Sequence, residues 1–257
     1  MWEQEAALAG EAARKAGKAL LELFGKDIRV VMKGEIDPVT EADLRSERVI
    51  LELIARRFPG DSILTEEAGE CRRDSGRVWI IDPLDGTVNF AHGFPMFAVS
   101  IALQAHGEIV LGVVLNPVLD ECFEAREGGG AFLNGRAVAV SRTAELQASL
   151  LATGFPYDVH RKHRRVLTHL RRMLTRAQGI RRPGSAAIDL CYVAAGRLDG
   201  FWEEGLKPWD TAAGMVIVQE AGGRISTYDG KPYSPYEKNL VASNPFIHEA
   251  MIALLTE

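Results

Sequence analysis

Hydrophobic and polar positions follow two patterns in the first 140 residues. Residues 2–24 and 40–58 repeat apolar side chains at helical spacing, and glycine or proline follows each segment. Shorter apolar runs then succeed one another closely, as is typical of strands in a mostly antiparallel sheet. We predict strands at 62–64, 78–81, 98–103, 109–115 and 121–125, and the Asn134-Gly135 pair predicts a hairpin turn after them.

After about residue 140 strands and helices alternate, which indicates an α/β half. The predicted strands are 149–152, 180–181, 199–202, 224–226 and 240–242, and the predicted helices are 160–177, 186–195 and 211–221. A final helix is expected to start at the cap Ser243-Asn244-Pro245. Because no linker-like stretch separates the halves, we expect two tightly packed lobes, 1–140 and 141–257.

The composition is that of a mildly acidic globular protein. The 257 residues are 47% hydrophobic and 25% charged, with a formal net charge of -5. Nucleic-acid binding is not expected, because phosphate backbones are held by an excess of lysine and arginine. Cys71, Cys122 and Cys191 are far apart and fit no zinc spacing, which predicts reduced thiols. We see no signal peptide and no run of about 20 apolar residues, so we expect a cytoplasmic protein that does not span a membrane.

Two carboxylates lie where a buried strand is predicted to end. Asp82 follows four apolar residues, and Pro83 is expected to stop the strand because it has no N–H to donate. Asp85 comes three residues after Asp82, and Gly86 and Thr87 would begin a helix whose N-terminus attracts anions. Magnesium prefers carboxylates, water and phosphate oxygens as ligands. The segment therefore predicts a site for Mg²⁺ and a phosphate.

Structural alternatives exist for every acid in this argument. Asp-Gly is a common turn, and on spacing alone that alternative is favoured for the Asp82–Asp85 segment. Asp43 and Asp210 both fit helix caps, and Glu66 fits an acidic surface. The metal interpretation therefore requires that these distant acids come together in the fold.

The motifs resemble those of the inositol monophosphatase family, the lithium-sensitive, metal-dependent sugar-phosphate phosphatases. The segments WIIDPLDGTVNF at 79–90 and WDTAAG at 209–214 carry the resemblance. Supporting matches are DPVTEAD at 37–43, Glu66-Glu67, GAFLNG at 130–135 and Gly222-Gly223. Their order fits nearly the whole chain. The resemblance implies the layered αβαβα sandwich of the sugar-phosphatase fold.

The resemblance also implies the metal ligands and the catalytic groups. Two or three Mg²⁺ ions would be held by the side chains of Glu66, Asp82, Asp85 and Asp210 and by the carbonyl of Leu84. Glu66, Thr87 and Asp43 would be catalytic. Asp43 would pair with Thr87 and help orient a water that attacks the phosphate in line, with no phospho-enzyme. Lys33 matches a basic residue near the site.

The implied substrate contacts lie in both halves of the chain. They are Gly86, Thr87, Gly184, Ser185, Ala186, Glu203 and Asp210. Glu203 would accept hydrogen bonds from ring hydroxyls, which favours myo-inositol monophosphate as the substrate. Fructose-1,6-bisphosphate is the main alternative, alone or as a second activity, and 3′-phosphoadenosine 5′-phosphate and histidinol phosphate are less favoured.

The segment 160–182 is unusually basic, with nine arginines or lysines and no acid. Val166, Leu167, Leu170, Met173 and Leu174 are expected to form an apolar stripe at helical spacing, so we expect a surface helix with a solvated basic face. Binding of RNA or protein through this segment is the non-enzymatic alternative. The family resemblance also implies a homodimer.

Overall fold

The computed structural model describes residues 1–26, 30–32 and 38–256. Lys33 and the first residue of the 37–43 motif lie outside these residues. The described chain forms five layers in the order helices, sheet, helices, sheet, helices. This arrangement confirms the predicted αβαβα sandwich.

The first layer consists of α1 (Glu3–Leu21) and α2 (Glu41–Arg57), which bury their apolar stripes against a sheet. The stripe of α1 includes Leu8 and Leu20, both fully buried. Helix α2 begins as the sequence predicts: the Thr40 hydroxyl accepts from Ala42 N, and Asp43 Oδ2 accepts from Thr40 N. This cap fixes Asp43 at the start of a buried helix.

The second layer is an eight-stranded sheet, counted over the described residues. Its strands are β3 (Ser62–Thr65), β4 (Gly69–Cys71), β5 (Arg77–Asp85), β6 (Ala98–Ala105), β7 (Glu108–Asn116), β8 (Glu121–Arg126), β9 (Gly130–Leu133) and β10 (Arg136–Val138), after a separate pair β1 (Val30–Met32) and β2 (Pro38–Thr40). The order is β10-β9-β8-β7-β6-β5-β3-β4, and the pairing is antiparallel except between β3 and β5. The predicted antiparallel character is confirmed.

The prediction that Pro83 ends its strand is wrong, because β5 continues through it to Asp85. Strand β3 pairs with β5 only as far as Ile81, so the missing N–H of Pro83 deprives no neighbour on that side. On the other side, Asp82 lies opposite Ser100 and Asp85 lies opposite Ala98, so β5 holds one extra residue as a bulge. A short helix, α3 (Thr87–Ala91), follows directly.

The central helix layer places the second half of the chain on this sheet. It consists of α5 (Ala186–Ala194) and α6 (Pro208–Glu220). A Cβ on Gly112 of β7 would lie 2.4 Å from the Ala213 carbonyl oxygen, and one on Gly214 would lie 2.5 Å from Leu190. These two glycines therefore let α6 pack tightly against both β7 and α5.

The last two layers are a five-stranded sheet and an outer pair of helices. The strands are β11 (Leu150–Thr153), β12 (Gly179–Arg181), β13 (Gly200–Glu204), β14 (Arg224–Ser226) and β15 (Asn239–Ser243), and the helices are α4 (Val159–Leu174) and α7 (His248–Thr256). The order β12-β11-β13-β15-β14 is parallel in its first three strands and antiparallel in the rest. The alternation of strands and helices is as predicted. The assignment of residues 1–140 and 141–257 to two lobes stays a prediction.

The start of α7 differs from the prediction. The helix begins at His248 and not at the Ser243-Asn244-Pro245 segment. Asn244 Oδ1 accepts from the backbone N–H groups of Phe246 and Ile247, so the segment forms a turn that precedes the helix. Ser243 instead contacts His248. Across the described ranges, we find no helix with the length and apolar character needed to span a membrane.

Candidate active site

Three carboxylates from separate parts of the chain meet at the junction of the two central layers. Asp82 and Asp85 lie at the end of β5, and Asp210 lies in the first turn of α6. One oxygen from each lies within 4.8 Å of the others. Strand β3 runs parallel to β5 with Thr65 opposite Ile81, so Glu66 follows at the same end of the sheet. The fold thus brings together acids that the sequence keeps up to 144 residues apart.

The charges in this cluster oppose one another. Burial raises the pKa of Asp82 well above its ordinary value, and the negative charges of Glu66, Asp85 and Asp210 raise it further. Removal from water and the charge of Asp85 also raise the pKa of Asp210 well above its usual range. Burial is the main cause that raises the pKa of Asp85 to about 6. A divalent cation would relieve this repulsion, and an all-oxygen donor set suits Mg²⁺.

Hydrogen bonds hold each carboxylate of the cluster in place. Asp82 Oδ1 accepts from Leu84 N at 2.9 Å, and Asp210 Oδ2 accepts from Lys207 N at 2.7 Å. Asp210 therefore caps α6 as well as facing the cluster. Asp85 is held from the other half of the chain, since its Oδ2 accepts from the Ser185 hydroxyl at 2.5 Å and from Ala187 N at 2.8 Å.

Thr87 and Asp43 lie in contact, as the family resemblance implies. Thr87 Oγ1 lies 3.0 Å from Asp43 Oδ1 and 3.0 Å from the Leu84 carbonyl oxygen. The Thr40 hydroxyl donates to Asp43 Oδ2 at 2.6 Å, which fixes the carboxylate from its other side. Burial raises the pKa of Asp43 to about 6 in spite of these donors. Their catalytic role stays a prediction.

Glu47 is a supporting acid that the sequence reasoning missed. Its Oε1 accepts from the Thr65 hydroxyl at 2.7 Å and from Ala68 N at 3.0 Å, so it contacts the chain both before and after Glu66. The signal was its position on α2, because Glu47 is one turn after Asp43 and falls on the same stripe as buried Ile50 and Ile54. An acid on a buried stripe needs partners.

All seven predicted substrate contacts line one cleft of about 240 Å³ beside the acidic cluster. The predicted residues Gly86, Thr87, Gly184, Ser185, Ala186, Glu203 and Asp210 share it with Asp85, with Arg182 of the basic segment 160–182, and with residues that the sequence did not indicate, which include Gly154, Phe155, Tyr157 and Asp189. Among the other predicted site residues, Glu66, Asp82, Leu84 and Asp43 lie outside this lining. The cleft therefore joins the segment 82–87, the proposed metal segment at the end of β5 and the start of α3, to the turn before α5.

Glu203 forms the far wall of the cleft. It is buried on β13, and burial with the nearby charge of Asp210 raises its pKa well above the ordinary value. A Cβ on Gly154 would lie 1.9 Å from Glu203 Oε2, so only glycine at position 154 leaves room for this carboxylate. Arg182 lies over the Phe155 ring, 5.3 Å from its centroid, and its positive charge opposes the rise in the pKa of Glu203.

Asp189 lies buried in the same wall. No hydrogen-bond partner for its Oδ1 is present in the parts of the chain described, and burial raises its pKa well above the ordinary value. No sequence signal marks Asp189, because a single aspartate in an apolar helix of small residues forms no recognisable pattern. With Glu203 it makes this side of the cleft acidic.

Comparisons with known proteins match this chain over nearly its whole length. The profile described as the inositol monophosphatase family matches residues 1–257. The inositol-1-monophosphatase of Mesorhizobium japonicum is 44% identical over 245 residues, which are 94% of this chain and 92% of that protein. The Nus factor SuhB of Escherichia coli is 42% identical over 249 residues, which are 96% and 93% of the two chains.

A solved structure shares the whole fold. The extragenic suppressor protein suhB from Bartonella henselae superposes with a TM-score of 0.94 at 42% identity, covering 98% of each chain. The fold of this chain is therefore already known from a bacterial protein.

Proposed function

Because this chain belongs to the inositol monophosphatase family of phosphomonoester hydrolases, we propose that it hydrolyses myo-inositol monophosphate to inositol and phosphate with Mg²⁺ as cofactor. The observation that carries the proposal is the meeting of Asp82, Asp85 and Asp210 within 4.8 Å beside a cleft walled by Glu203. Because the three carboxylates repel one another, a cation bound between them would stabilise the site. The cleft has room for a phosphate ester beside that cation.

One set of residues would bind the metal ions, and another would bind the phosphate. The side chains of Glu66, Asp82, Asp85 and Asp210 and the carbonyl of Leu84 would hold two or three Mg²⁺ ions. Bound Mg²⁺ would neutralise phosphoryl oxygens and lower the pKa of a water molecule. The backbone N–H groups of Gly86 and Thr87, at the start of α3, would donate to the phosphate.

The chain's own groups would orient the attacking water. Thr87 Oγ1 can donate to Asp43 and keep its lone pairs for a water hydrogen. Glu66, held through Thr65 and Ala68 by Glu47, would accept the proton from that water. The water would attack the phosphate directly, without a phospho-enzyme, since the described residues that line the cleft include no histidine or cysteine nucleophile and the Ser185 hydroxyl donates to Asp85.

The acidic wall supports a polyol monophosphate as the substrate. Carboxyl groups can form hydrogen bonds with hydroxyl groups, and the buried Glu203 and Asp189 offer no positive charge to a second phosphate. Fructose-1,6-bisphosphate is the second candidate, because Arg182 is the cation among the described cleft residues and could pair with a second phosphate. Hydrolysis of 3′-phosphoadenosine 5′-phosphate or histidinol phosphate has no such support.

The test is phosphate release from inositol 1-phosphate, fructose-1,6-bisphosphate, 3′-phosphoadenosine 5′-phosphate and histidinol phosphate, measured side by side. We expect inositol 1-phosphate to give the highest kcat/KM, with activity lost in EDTA and restored by Mg²⁺. Activity that survives complete metal removal would refute the metal assignment. A higher kcat/KM for the bisphosphate would refute the substrate assignment and leave the hydrolase mechanism intact.

We also propose a homodimer that covers the outer face of α4. Leu167 and Leu174 do not join the buried part of the predicted stripe, since they are 56% and 60% exposed. They lie two turns apart, and a second copy would bury them. RNA binding is the competing use of this basic face, and the Nus factor name of some relatives motivates testing it. RNA phosphates would use Arg164 and Arg171 and gain little from the leucines.

Sedimentation velocity and RNA fluorescence anisotropy separate these uses of α4. We expect Leu167→Glu to shift the dimer towards monomer and the unaltered chain to show no saturable binding of a 20-nucleotide RNA at physiological salt. A monomeric unaltered chain that binds RNA through Arg164 and Arg171 would overturn the dimer proposal.

A cytoplasmic location stays a prediction.

A further inference from the structure

Asn89 contacts three backbone carbonyl groups from two parts of the chain. Its side-chain Nδ2 donates to the carbonyl oxygens of Met96 at 2.6 Å, Pro183 at 2.8 Å and Gly184 at 3.3 Å. Asn89 belongs to α3, directly after the metal segment, whereas Pro183 and Gly184 belong to the turn that leads into α5. One amide therefore joins the phosphate side of the cleft to the substrate side.

The same two segments meet a second time through Asp85. Its Oδ2 accepts from the Ser185 hydroxyl and from Ala187 N. The turn at 183–187 is thus held at its start by Asn89 and at its end by Asp85. Because the amide of asparagine carries two N–H donors and no charge, Asn89 can hold carbonyl groups as no carboxylate can.

The fit between these segments leaves little space. A Cβ on Gly86 would lie 3.3 Å from the Gly184 carbonyl oxygen, and a Cβ on Gly184 would lie 3.1 Å from Asn89 Nδ2. Small movements of the turn would therefore change where Gly184 and the following Ser185 and Ala186 present themselves to the cleft. Removing the donor leaves the Pro183 and Gly184 carbonyls without this partner and the turn with one anchor in place of two.

We propose that Asn89 is a positioning residue for substrate selection, which sets the turn at 183–187 against the metal segment and so fixes the polyol-binding side of the cleft. This inference rests on the proposed function. Asn89 acts through the turn and not on the phosphate. Its loss therefore weakens binding of the polyol and leaves hydrolysis of an ester without hydroxyl groups intact.

The test compares two substrates on the full-length Mg²⁺-loaded protein. Inositol 1-phosphate uses the turn and Glu203, whereas p-nitrophenyl phosphate offers them no hydroxyl group. We expect Asn89→Leu, which keeps the branched shape without the donor, to raise KM for inositol 1-phosphate at least tenfold. Asn89→Asp should raise it at least as much, because a carboxylate would face three carbonyl oxygens. In both variants kcat/KM for p-nitrophenyl phosphate should stay within threefold of the unaltered protein.

His92→Ala is the matched control, since His92 follows α3, is exposed and lies outside the cleft lining. It should leave both substrates unchanged, and thermal unfolding should show that all variants fold. Equal losses on both substrates, or no loss on either, would overturn the positioning role. Absence of activity in the unaltered protein on both substrates would instead overturn the proposed function, and this inference with it.

Discussion

Two buried polar sites in this protein are built in opposite ways. In the second half of the chain, His248 is fully buried, and both ring nitrogens lie 2.8 Å from serine hydroxyls, those of Ser226 and Ser243. In the acidic cluster beside the cleft, Asp82, Asp85 and Asp210 crowd together, and no lysine or arginine within the described ranges forms an ion pair with them. The first site is completed by the protein itself.

The difference shows where a ligand belongs. Burial of a polar group is costly unless a partner is supplied, and folding alone favours sites such as that of His248. A cluster of acids that raise one another's pKa persists at a cost to stability, which a bound cation recovers. The cleft is therefore a site that the chain leaves incomplete, whereas the serine–histidine–serine contact is a finished structural element.

The largest expected effect comes from removing one charge in the cleft. Asp85→Asn should lower kcat/KM for inositol 1-phosphate about a thousandfold or more, roughly 4 kcal/mol, because it removes a metal ligand. Thermal unfolding of the metal-free variant should occur at the same or a higher temperature, since one repelling charge is removed and the amide oxygen can still accept from Ser185. The exposed Asp74→Asn is the control and should keep full activity. An Asp85→Asn protein with normal activity would refute the metal assignment.

Metal binding should stabilise the fold through the same acids. Mg²⁺ at about a hundred times its dissociation constant should add about 2.7 kcal/mol to the free energy of unfolding. Calorimetry with Mg²⁺ and with EDTA measures the shift in Tm, and Asp85→Asn should reduce it. A Tm that ignores Mg²⁺ would show that the cluster is as complete as the His248 site, and the comparison would fail.

A smaller effect should follow from crowding the cleft wall. Gly154→Ala places a methyl group on the Glu203 carboxylate and should raise KM for inositol 1-phosphate ten- to a hundredfold, about 1.4–2.7 kcal/mol. Gly60→Ala is the matched control, because a Cβ there would meet no atom within 4 Å. Steady-state kinetics on both variants decides the matter, and an unchanged KM in Gly154→Ala would remove Glu203 from the substrate site.

The buried His248 site should lower the free energy of unfolding only at acidic pH. Burial lowers the pKa of His248 to about 4 from an ordinary value of 6.5, so the unfolded chain binds a proton that the folded chain refuses. Stability should therefore fall as pH drops from about 6.5 towards 4, by about 1 kcal/mol from this group at pH 5.5. His248→Gln should lose correspondingly less between pH 7 and pH 5.5 in denaturant titrations. Equal losses in both proteins would contradict this assignment.

Much of the site followed from the sequence because its parts are local motifs. The cap at Thr40, the strand before Asp82 and the helix start at Asp210 each have short signals, and the family motifs connected them. Glu47, Asn89 and Gly154 did not follow, because what they do depends on partners far along the chain. Gly154 has meaning only beside Glu203, and Asn89 only beside Pro183 and Gly184.

The error at Pro83 has the same origin. Proline disfavours a central strand when a neighbour needs its N–H, and the sequence could not show that β3 stops pairing at Ile81. Likewise, the segment at Ser243-Asn244-Pro245 carries the residues of a helix cap, and only the packing of His248 shows that the helix starts later. At both places the local sequence favoured the predicted structure, and contacts with neighbouring elements determined a different one.

The bulge in β5 determines which face of the strand the side chains of Asp82 and Asp85 occupy. Side chains alternate between the faces of a strand, so residues three apart, such as Asp82 and Asp85, point to opposite sides of a regular one. Their partners Ser100 and Ala98 are two apart and share a face. The extra residue therefore turns an odd separation into an even one and aims both ligands at α5 and α6. If β5 paired regularly with the same three-residue separation and no bulge, one of the two side chains would point into the core under α1 and α2 instead.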